Sequence, residues 1–405
     1  MDIVSLFSSS NFTLIVVTGV ALVFLSIEMI RYRIHVRILT KIPVRIHVNG
    51  SRGKSSVTRL IGAALRKSES RIVTKTTGTA PRFIMPDGNE LPIFRAGKPN
   101  IIEQVRVVAR AHKEGATTLV AECMAVTPEY IATLEDKIIQ STMGVITNIR
   151  EDHLDVMGPT MYDVTVNIAK SLPSNGVAFT AEKKWFNVLE TEAKSKGSTL
   201  IQVHGNTVSD EDMSGFSYME HKENVALALA VADRFGICRE MALKAMYQAQ
   251  PDPGVLRETI VPGKNGTWYF FNALAANDPD STHLIWNMAC ARRKGKRIAF
   301  LILRSDRIQR TEGFAQLVGS GLKADIYIVV GDSVSFVTAS LKKKGVAADR
   351  IIALHNPQAE AVVETIVKTV EMDDVVVAMG NIVGLGEACV LKIENLARTP
   401  SKERV

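Results

Sequence analysis

The chain has 405 residues, 46% of them hydrophobic and 22% charged, a balance that excludes disorder, collagen-like repeats and coiled coil. At roughly 150 residues per domain this length implies two or three domains, with cores large enough to need no disulfide. The net charge of +7 points toward nucleic acid until it is located: Met29–Ser68 holds ten Lys or Arg and no acid, leaving 39 basic against 42 acidic residues elsewhere, so no nucleic-acid partner is expected. The cysteines, Cys123, Cys238, Cys290 and Cys389, form no paired ligand motif, which argues against structural zinc and fits a reducing compartment.

In chain order the first element is Phe12–Ile27, sixteen residues without a charge, extended past Glu28 by Met29 and Ile30. Nineteen helical residues at about 1.5 Å each cover about 28 Å, enough to cross a bilayer core. No Lys or Arg precedes the run, whereas Arg31, Arg33, Arg37, Lys41 and Arg45 follow it. That bias places the amino terminus outside and everything after Arg31 in the cytoplasm. A signal peptide would need a basic start and a small-residue cleavage site, and both are missing. A buried core helix is the competing reading; a single-pass anchor in the cell membrane is expected, its basic stem resting on anionic headgroups.

Past Lys41 short β-branched runs alternate with helical stretches. Strands are predicted at Val44–Val48, Thr118–Ala121, Gly144–Asn148, Val177–Thr180, Thr267–Asn272, Arg297–Leu303, Asp325–Val330, Arg350–Leu354 and Asp374–Ala378. Helices are predicted at Lys54–Lys67, Ile102–Lys113, Asn224–Phe235, Glu312–Lys323 and Ala359–Val370. Apolar strands separated by helices imply an α/β fold with parallel sheets covered on both faces. The Pro/Gly-rich Gln250–Gly254 marks a boundary. The expected domains are 1–40, a membrane anchor and basic stem; 41–258, the larger α/β domain; and 259–405, a smaller one.

The sharpest motif is Val44-Arg-Ile-His-Val-Asn49-Gly50-Ser51-Arg52-Gly53-Lys54-Ser55-Ser56, a strand, a glycine turn and the start of an amphipathic helix. Backbone N–H groups and the helix N-terminus would cradle phosphates, Lys54 would reach the terminal phosphates and Ser55 would ligate Mg²⁺. The loop is shorter than the usual form, with Val48 at its first glycine position. Thr117–Glu122 ends a strand in an acid able to hold the same metal. Gly144–Arg150 runs into Glu151-Asp152-His153-Leu154-Asp155, where His153 among carboxylates is a candidate metal ligand or general base.

Gly50–Ser56, Glu122 and Asn148–Asp155, in this order, resemble the Mur ligase family of ATP-dependent amide ligases. Asn224 in His221-Lys-Glu-Asn224 resembles that family's adenine-contacting helix, Asn277-Asp-Pro-Asp-Ser281 its HNPxS loop with Asn277 for histidine, and Arg304-Ser-Asp306-Arg307 its DR motif. The runs Lys75-Thr76-Thr77-Gly-Thr79, Glu122-Cys-Met-Ala-Val, Glu151–Thr160, Asp252-Pro-Gly and Ala276-Asn-Asp are similar to PgsB/CapB-type poly-γ-glutamate synthases over nearly the whole chain. The resemblance implies a central P-loop ATPase domain and a Rossmann-like C-terminal domain. It implies that a γ-phosphoryl group passes from ATP to a carboxylate, giving an acyl phosphate that glutamate's amine converts to an amide.

In that chemistry Lys54, His153 and Glu122 would be catalytic, and Ser55, Glu122 and His153 would hold metal. Asn49 through Ser56, Asn224, Asp306 and Arg307 would bind the nucleotide. Lys75, Thr76, Thr77, Arg257 and Asn277 would meet substrate carboxylates. Lys170, seventeen residues past His153, aligns only loosely with a carbamoylated lysine found in many Mur ligases and is left out of the site. The implied cofactors are ATP and Mg²⁺; the implied partners are glutamate, a growing γ-glutamyl chain and small membrane proteins of the same complex. Oligomeric state, a homo-oligomer included, is not written in the residues. A γ-glutamyl ligase acting on folate or another conjugate and a membrane-tethered NTPase scaffold that joins nothing are the rival readings.

Overall fold

The computed structural model describes residues 9–68, 70–78, 81–95, 97, 99–151, 154–216, 218, 220–251, 258–264, 266–274, 279–291, 294–304, 322–332, 334–381 and 384–398. The backbone packs as two compact units, Met1–Met213 with His221–Ala249, and Ser214–Glu220 with Gln250–Val405.

The first unit opens on a helix of 31 residues, Ser9–Leu39. Its stretch Phe12–Leu39 is long and apolar enough to cross a membrane, and no residue of its most apolar window is buried. The competing reading, a buried core helix, therefore fails. Glu28, the acid inside the apolar run, is paired with Arg31 one turn on at 2.5 Å. Burial begins only at His35 and Leu39 and continues at Ile42.

Eight strands follow in order β4-β3-β2-β5-β1-β6-β7-β8. They are β1 (Val44–Asn49), β2 (Ile72–Lys75), β3 (Arg82–Ile84), β4 (Glu90–Pro92), β5 (Thr118–Glu122), β6 (Met143–Ile146), β7 (Val177–Thr180) and β8 (Thr199–Gln202). Strand β1 lies parallel between β5 and β6, with Val48 opposite both Glu122 and Val145. Their carboxyl ends therefore bring three loops side by side, where α/β sheets hold ligands. Only the β2–β3–β4 edge is antiparallel in this sheet. The helices Lys54–Leu65 and Ile102–Lys113 form at the predicted places.

The second unit holds β9 (Glu258–Gly263), β10 (Gly266–Asn272), β11 (Arg297–Leu303), β12 (Ile326–Gly331), β13 (Ile351–His355) and β14 (Val375–Gly380). Their order is β13-β12-β11-β14-β10-β9, parallel except that β9 runs against β10. Alternate residues of β11 enter two cores, Ala299, Leu301 and Leu303 in one and Ile298, Phe300 and Ile302 in the other. That is the two-faced burial expected of a strand with no polar residue after Arg297. The predicted helix Glu312–Lys323 lies almost wholly outside the described residues.

Two charged groups on β1, the half-buried Arg45 and the buried His47, fix the first unit. Arg45 donates to the carbonyls of Leu39 (3.2 Å) and Ile42 (2.6 Å), and to those of Ile139 (3.0 Å) and Gln140 (2.8 Å). One guanidinium thus closes the end of the apolar helix and the end of the π-helix Leu134–Ile139. His35 Nε2 meets the carbonyl of Ile138 at 2.8 Å. Further along, His47 Nδ1 pairs with Glu135 Oε2 at 2.7 Å, and Glu135 Oε1 accepts from the Ser141 amide (2.8 Å) and hydroxyl (2.7 Å). Burial opposes charge on the imidazole, but the Cys123 thiol group and the Glu135 carboxylate beside it outweigh that and hold its pKa up at about 10.

Removing the carboxylate leaves a buried cation unpaired, so Glu135→Ala should destabilise the chain by about 3–5 kcal/mol in urea unfolding. Because the imidazole's pKa is raised on folding, the pair's contribution is present in full below 6.5 and is lost as pH rises through about 10. The stability gap between parent and Glu135→Gln should shrink over that interval; a gap that widens would contradict the assignment.

Candidate active site

The glycine turn is built by contacts from the β6 loop. The Ser51 amide donates to the Asn148 carbonyl (2.9 Å), the Arg52 amide to Asn148 Oδ1 (3.1 Å), and Thr147 Oγ1 and Asn148 Nδ2 donate to the Arg52 carbonyl (2.6 and 3.0 Å). Ser51 Oγ donates to the Arg150 carbonyl and accepts from the Arg150 amide, both at 2.9 Å. Gly50 and Gly53 have positive φ, 132° and 78°. A Cβ at Gly50 would collide with Thr147 Oγ1, and one at Gly53 would stand 2.9 Å from Asn224 Oδ1.

Helix Lys54–Leu65 then begins without a side-chain cap. The amides of Lys54, Ser55 and Ser56 have no intrahelical acceptor and make no hydrogen bond among the described residues. They form a donor cluster suited to an anion, strengthened by the helix dipole. Lys54 Nζ bridges the Gly50 and Ser51 carbonyls at 2.7 and 3.1 Å, across the same loop.

Glu122 closes β5 next door, almost fully buried. Its Oε2 accepts the Ser55 hydroxyl at 2.9 Å and the Thr77 amide at 2.6 Å, while its carbonyl accepts Gln104 Nε2 at 3.0 Å. A hydroxyl and a carboxylate, joined at a helix N-terminus beside a lysine, are hard oxygen donors of the kind Mg²⁺ takes. Among the described residues no cluster of three His, Cys, Asp or Glu forms a metal site.

The structure therefore brings together Gly50, Gly53, Lys54, Ser55, Ser56, Glu122 and Asn224. Several other sequence assignments change. The Ser51 and Arg52 amides are taken by Asn148 and shape the loop instead of facing phosphate. Asn49 is buried, its side-chain amide donating to Ser171 Oγ at 3.0 Å, so it ties the strand end to the turn that follows the helix Met161–Ala169. Lys75 does not face an incoming carboxylate: its fully buried ammonium pairs with Glu103 Oε1 at 2.8 Å. Burial lowers its pKa, and the charges of Glu103 and Glu122 only partly offset this. Thr76 is buried and closes the turn to Arg82 through both its amide and hydroxyl, and the Thr77 amide holds Glu122. His153, Arg257, Asn277, Asp306 and Arg307 lie outside the described residues.

Sequence reasoning missed Asn148, Gln104 and the acid Glu103, which lies between Lys75 and Arg95. Arg95 grips Glu103 with Nε on Oε2 (2.6 Å) and Nη2 on Oε1 (3.0 Å). Burial would raise the Glu103 pKa, but Arg95 and Lys75 bring it down to about 2. Asn148 was legible, standing in the run that carries the resemblance; the pairing of Lys75 with Glu103 left no local signal.

In the second unit Arg304 follows β11 where the strand order reverses between β11 and β14, the crevice in which such sheets bind ligands. The Asn381 amide, following β14, donates to the Ile302 carbonyl at 3.0 Å and braces the same edge.

Comparison with known proteins matches residues 48–246 to the Mur ligase middle domain and residues 258–396 to the poly-γ-glutamate synthase CapB C-terminal domain. The capsule biosynthesis protein CapB of Bacillus anthracis is 39% identical over 335 residues, covering 82% of this chain and 72% of that protein. The PGA synthase CapB of Bacillus subtilis (strain 168) is 34% identical over 377 residues, covering 92% and 95%. Among solved structures, the bifunctional folylpolyglutamate synthase/dihydrofolate synthase of Yersinia pestis, complexed with AMPPNP and a Mn ion, shares the fold with a TM-score of 0.64 at 15% identity, covering 89% and 90%. Two domain matches in series and two relatives above 30% identity along most of its length settle the kinship: the chain belongs to the CapB-type poly-γ-glutamate synthases of the Mur ligase family, which are ATP-dependent amide ligases.

Proposed function

We propose that this chain lengthens a γ-glutamyl polymer at the carboxyl ends of β5, β1 and β6, with ATP as phosphoryl donor and Mg²⁺ as the metal. The observation that carries the reading is the Ser55–Glu122 contact of 2.9 Å at the uncapped helix, with Lys54 across the loop. The site suits the groups it would hold. Gly50 and Gly53 keep the loop free of the Cβ atoms that would push it from its bracing contacts, and Ser55 and Glu122 supply oxygen ligands. A nucleotide analogue and a divalent ion in the Yersinia pestis enzyme, on the same fold, support the same use here.

When bound, the metal would neutralise charge on the transferring phosphoryl group. The rest falls to the chain's own groups. The amides of Lys54, Ser55 and Ser56 and the Lys54 ammonium orient the terminal phosphates, so that the γ-phosphorus is the exposed electrophile. A γ-carboxylate oxygen attacks it; the bond to ADP breaks and an acyl phosphate forms. The amine of the next glutamate attacks the acyl carbon, loses a proton, and inorganic phosphate departs. By the resemblance to Mur ligases, His153 would be a metal ligand and Asp306 and Arg307 would bind nucleotide.

The apolar helix would cross the membrane with its amino terminus outside and both units in the cytoplasm, since the basic residues all follow the span. One helix offers no path for a polymer, so small membrane proteins are the expected partners.

Lys54→Ala should abolish ATP turnover in a coupled assay while circular dichroism stays that of the parent; turnover at the parent rate would refute the loop assignment. Incubation with ¹⁸O-labelled glutamate should put label in the released phosphate, and label in AMP would exclude an acyl phosphate. Gly50→Ala places a side chain where φ is left-handed and the β6 loop is in the way, at a cost of about 1–2 kcal/mol or more. Nucleotide affinity should fall about tenfold, read by titration with a fluorescent ATP analogue.

A further inference from the structure

The first unit carries a second feature, outside the loop. A groove of about 370 Å³ runs along helix Ile102–Lys113, lined by Phe83, Phe94, Arg95, Ile102, Arg106 and Arg110 among others. Its charge is one-sided. Of its charged lining residues, Arg95, Arg106 and Arg110 accompany a single acid, Glu103, which is already engaged by Arg95 and by the buried Lys75. Arg106 and Arg110 are exposed and have no acidic partner among the described residues. Arg110 is held by stacking over Phe83 at 4.5 Å. Two like charges one turn apart repel each other and weaken a helix, a cost that an anionic ligand removes. Phe94 adds an apolar wall that is 90% exposed.

The groove adjoins the reaction site through one residue. Arg95 Nη1 reaches the Thr77 carbonyl at 3.5 Å, and the Thr77 amide holds Glu122 at 2.6 Å. We infer that this groove is the binding track for the γ-glutamyl chain that the enzyme extends, with Arg106 and Arg110 on successive α-carboxylates and the chain's methylene groups on Phe94; the inference rests on the proposed function. Spacing supports it. An α-linked residue spans at most about 3.6 Å over three backbone bonds, so a γ-linked unit, with five, spans about 6 Å. Residues four apart on a helix rise about 6 Å, so the arginines repeat at the spacing of the carboxylates. Guanidinium and carboxylate also match as planar, bidentate partners.

The full-length protein in neutral detergent should bind a fluorescent γ-glutamyl oligomer, more weakly as salt rises. Arg106→Ala with Arg110→Ala should raise its Kd about tenfold or more and raise the KM for that oligomer as acceptor by a similar factor, with less change in kcat. The Lys double variant should recover part of the binding, because charge returns without the bidentate fork. Binding of the ATP analogue by each variant serves as the folding control. An unchanged Kd overturns the proposal. So does loss of binding to phosphatidylserine vesicles with oligomer binding intact, which would assign the arginines to lipid headgroups. If the parent protein forms no amide from ATP and glutamate, the proposed function fails by itself, and the groove still stands or falls on the oligomer Kd.

Discussion

The whole first unit is organised by how β1 is held. At its start Arg45 gathers four carbonyls from two helix ends, in its middle His47 is paired with Glu135, and at its end Gly50 turns into the loop. A strand between two parallel neighbours has its backbone satisfied by them, but its register is weakly constrained by apolar side chains alone. Buried charges are far more exacting, because an ion displaced from its partner by even a few ångströms pays its full desolvation cost. The pair His47–Glu135 therefore pins β1 two residues before the loop. A loop that must present amides to an anion benefits from that fixity, since donors already in place need no reorganisation.

A similar device holds the carboxylate. Glu122 is placed by Ser55, the Thr77 amide and Gln104, all from other elements. The turn that offers the Thr77 amide is in turn kept by the ion group Lys75–Glu103–Arg95 beneath it. Lys75 is lowered in pKa by burial while Glu103 is driven down by its two cations. The Glu103 shift comes from one geometry, a single carboxylate between two cations, whereas that of Lys75 comes from burial, which the carboxylates of Glu103 and Glu122 only partly offset. This arrangement leaves the outer arginines of helix Ile102–Lys113 without acid, so the same ions that stiffen the site bias its surroundings toward anions.

What the sequence showed and what it hid divide along one physical line. Strands buried on both faces, such as β11 and β14, are legible because nothing but apolar residues can fill them. Glu122 and the glycine loop are legible as candidates because each closes a predicted strand, where α/β sheets place ligand groups. Strands β2, β3 and β4 are only three or four residues long, too short to show a period, and Lys75-Thr76-Thr77-Gly reads locally as a turn. Lys75 was misread for the same reason: charged side chains are seldom fully buried, and the partner that makes it possible lies far along the chain at Glu103. Asn49 misled in the other direction, a polar residue in the loop motif whose amide is turned inward to Ser171.

The attachment of the apolar helix follows from the same strand. Between Val20 and Leu39 that helix has neither Pro nor Gly, so it has no hinge of the usual kinds before it docks at His35, Leu39 and Ile42. Arg45 then binds its last carbonyls to the first turn of the sheet. An anchor joined through a flexible linker would confine the catalytic unit near the bilayer and leave its orientation free. A spanning helix that runs unbroken into a buried dock, closed by a guanidinium, would fix orientation as well. The docking contacts lie at the amino end of β1 and the glycine loop at its carboxyl end, six residues or about 20 Å away. The glycine loop therefore lies at the pole of the sheet opposite the apolar helix, and helix Ile102–Lys113 runs beside the sheet between the two.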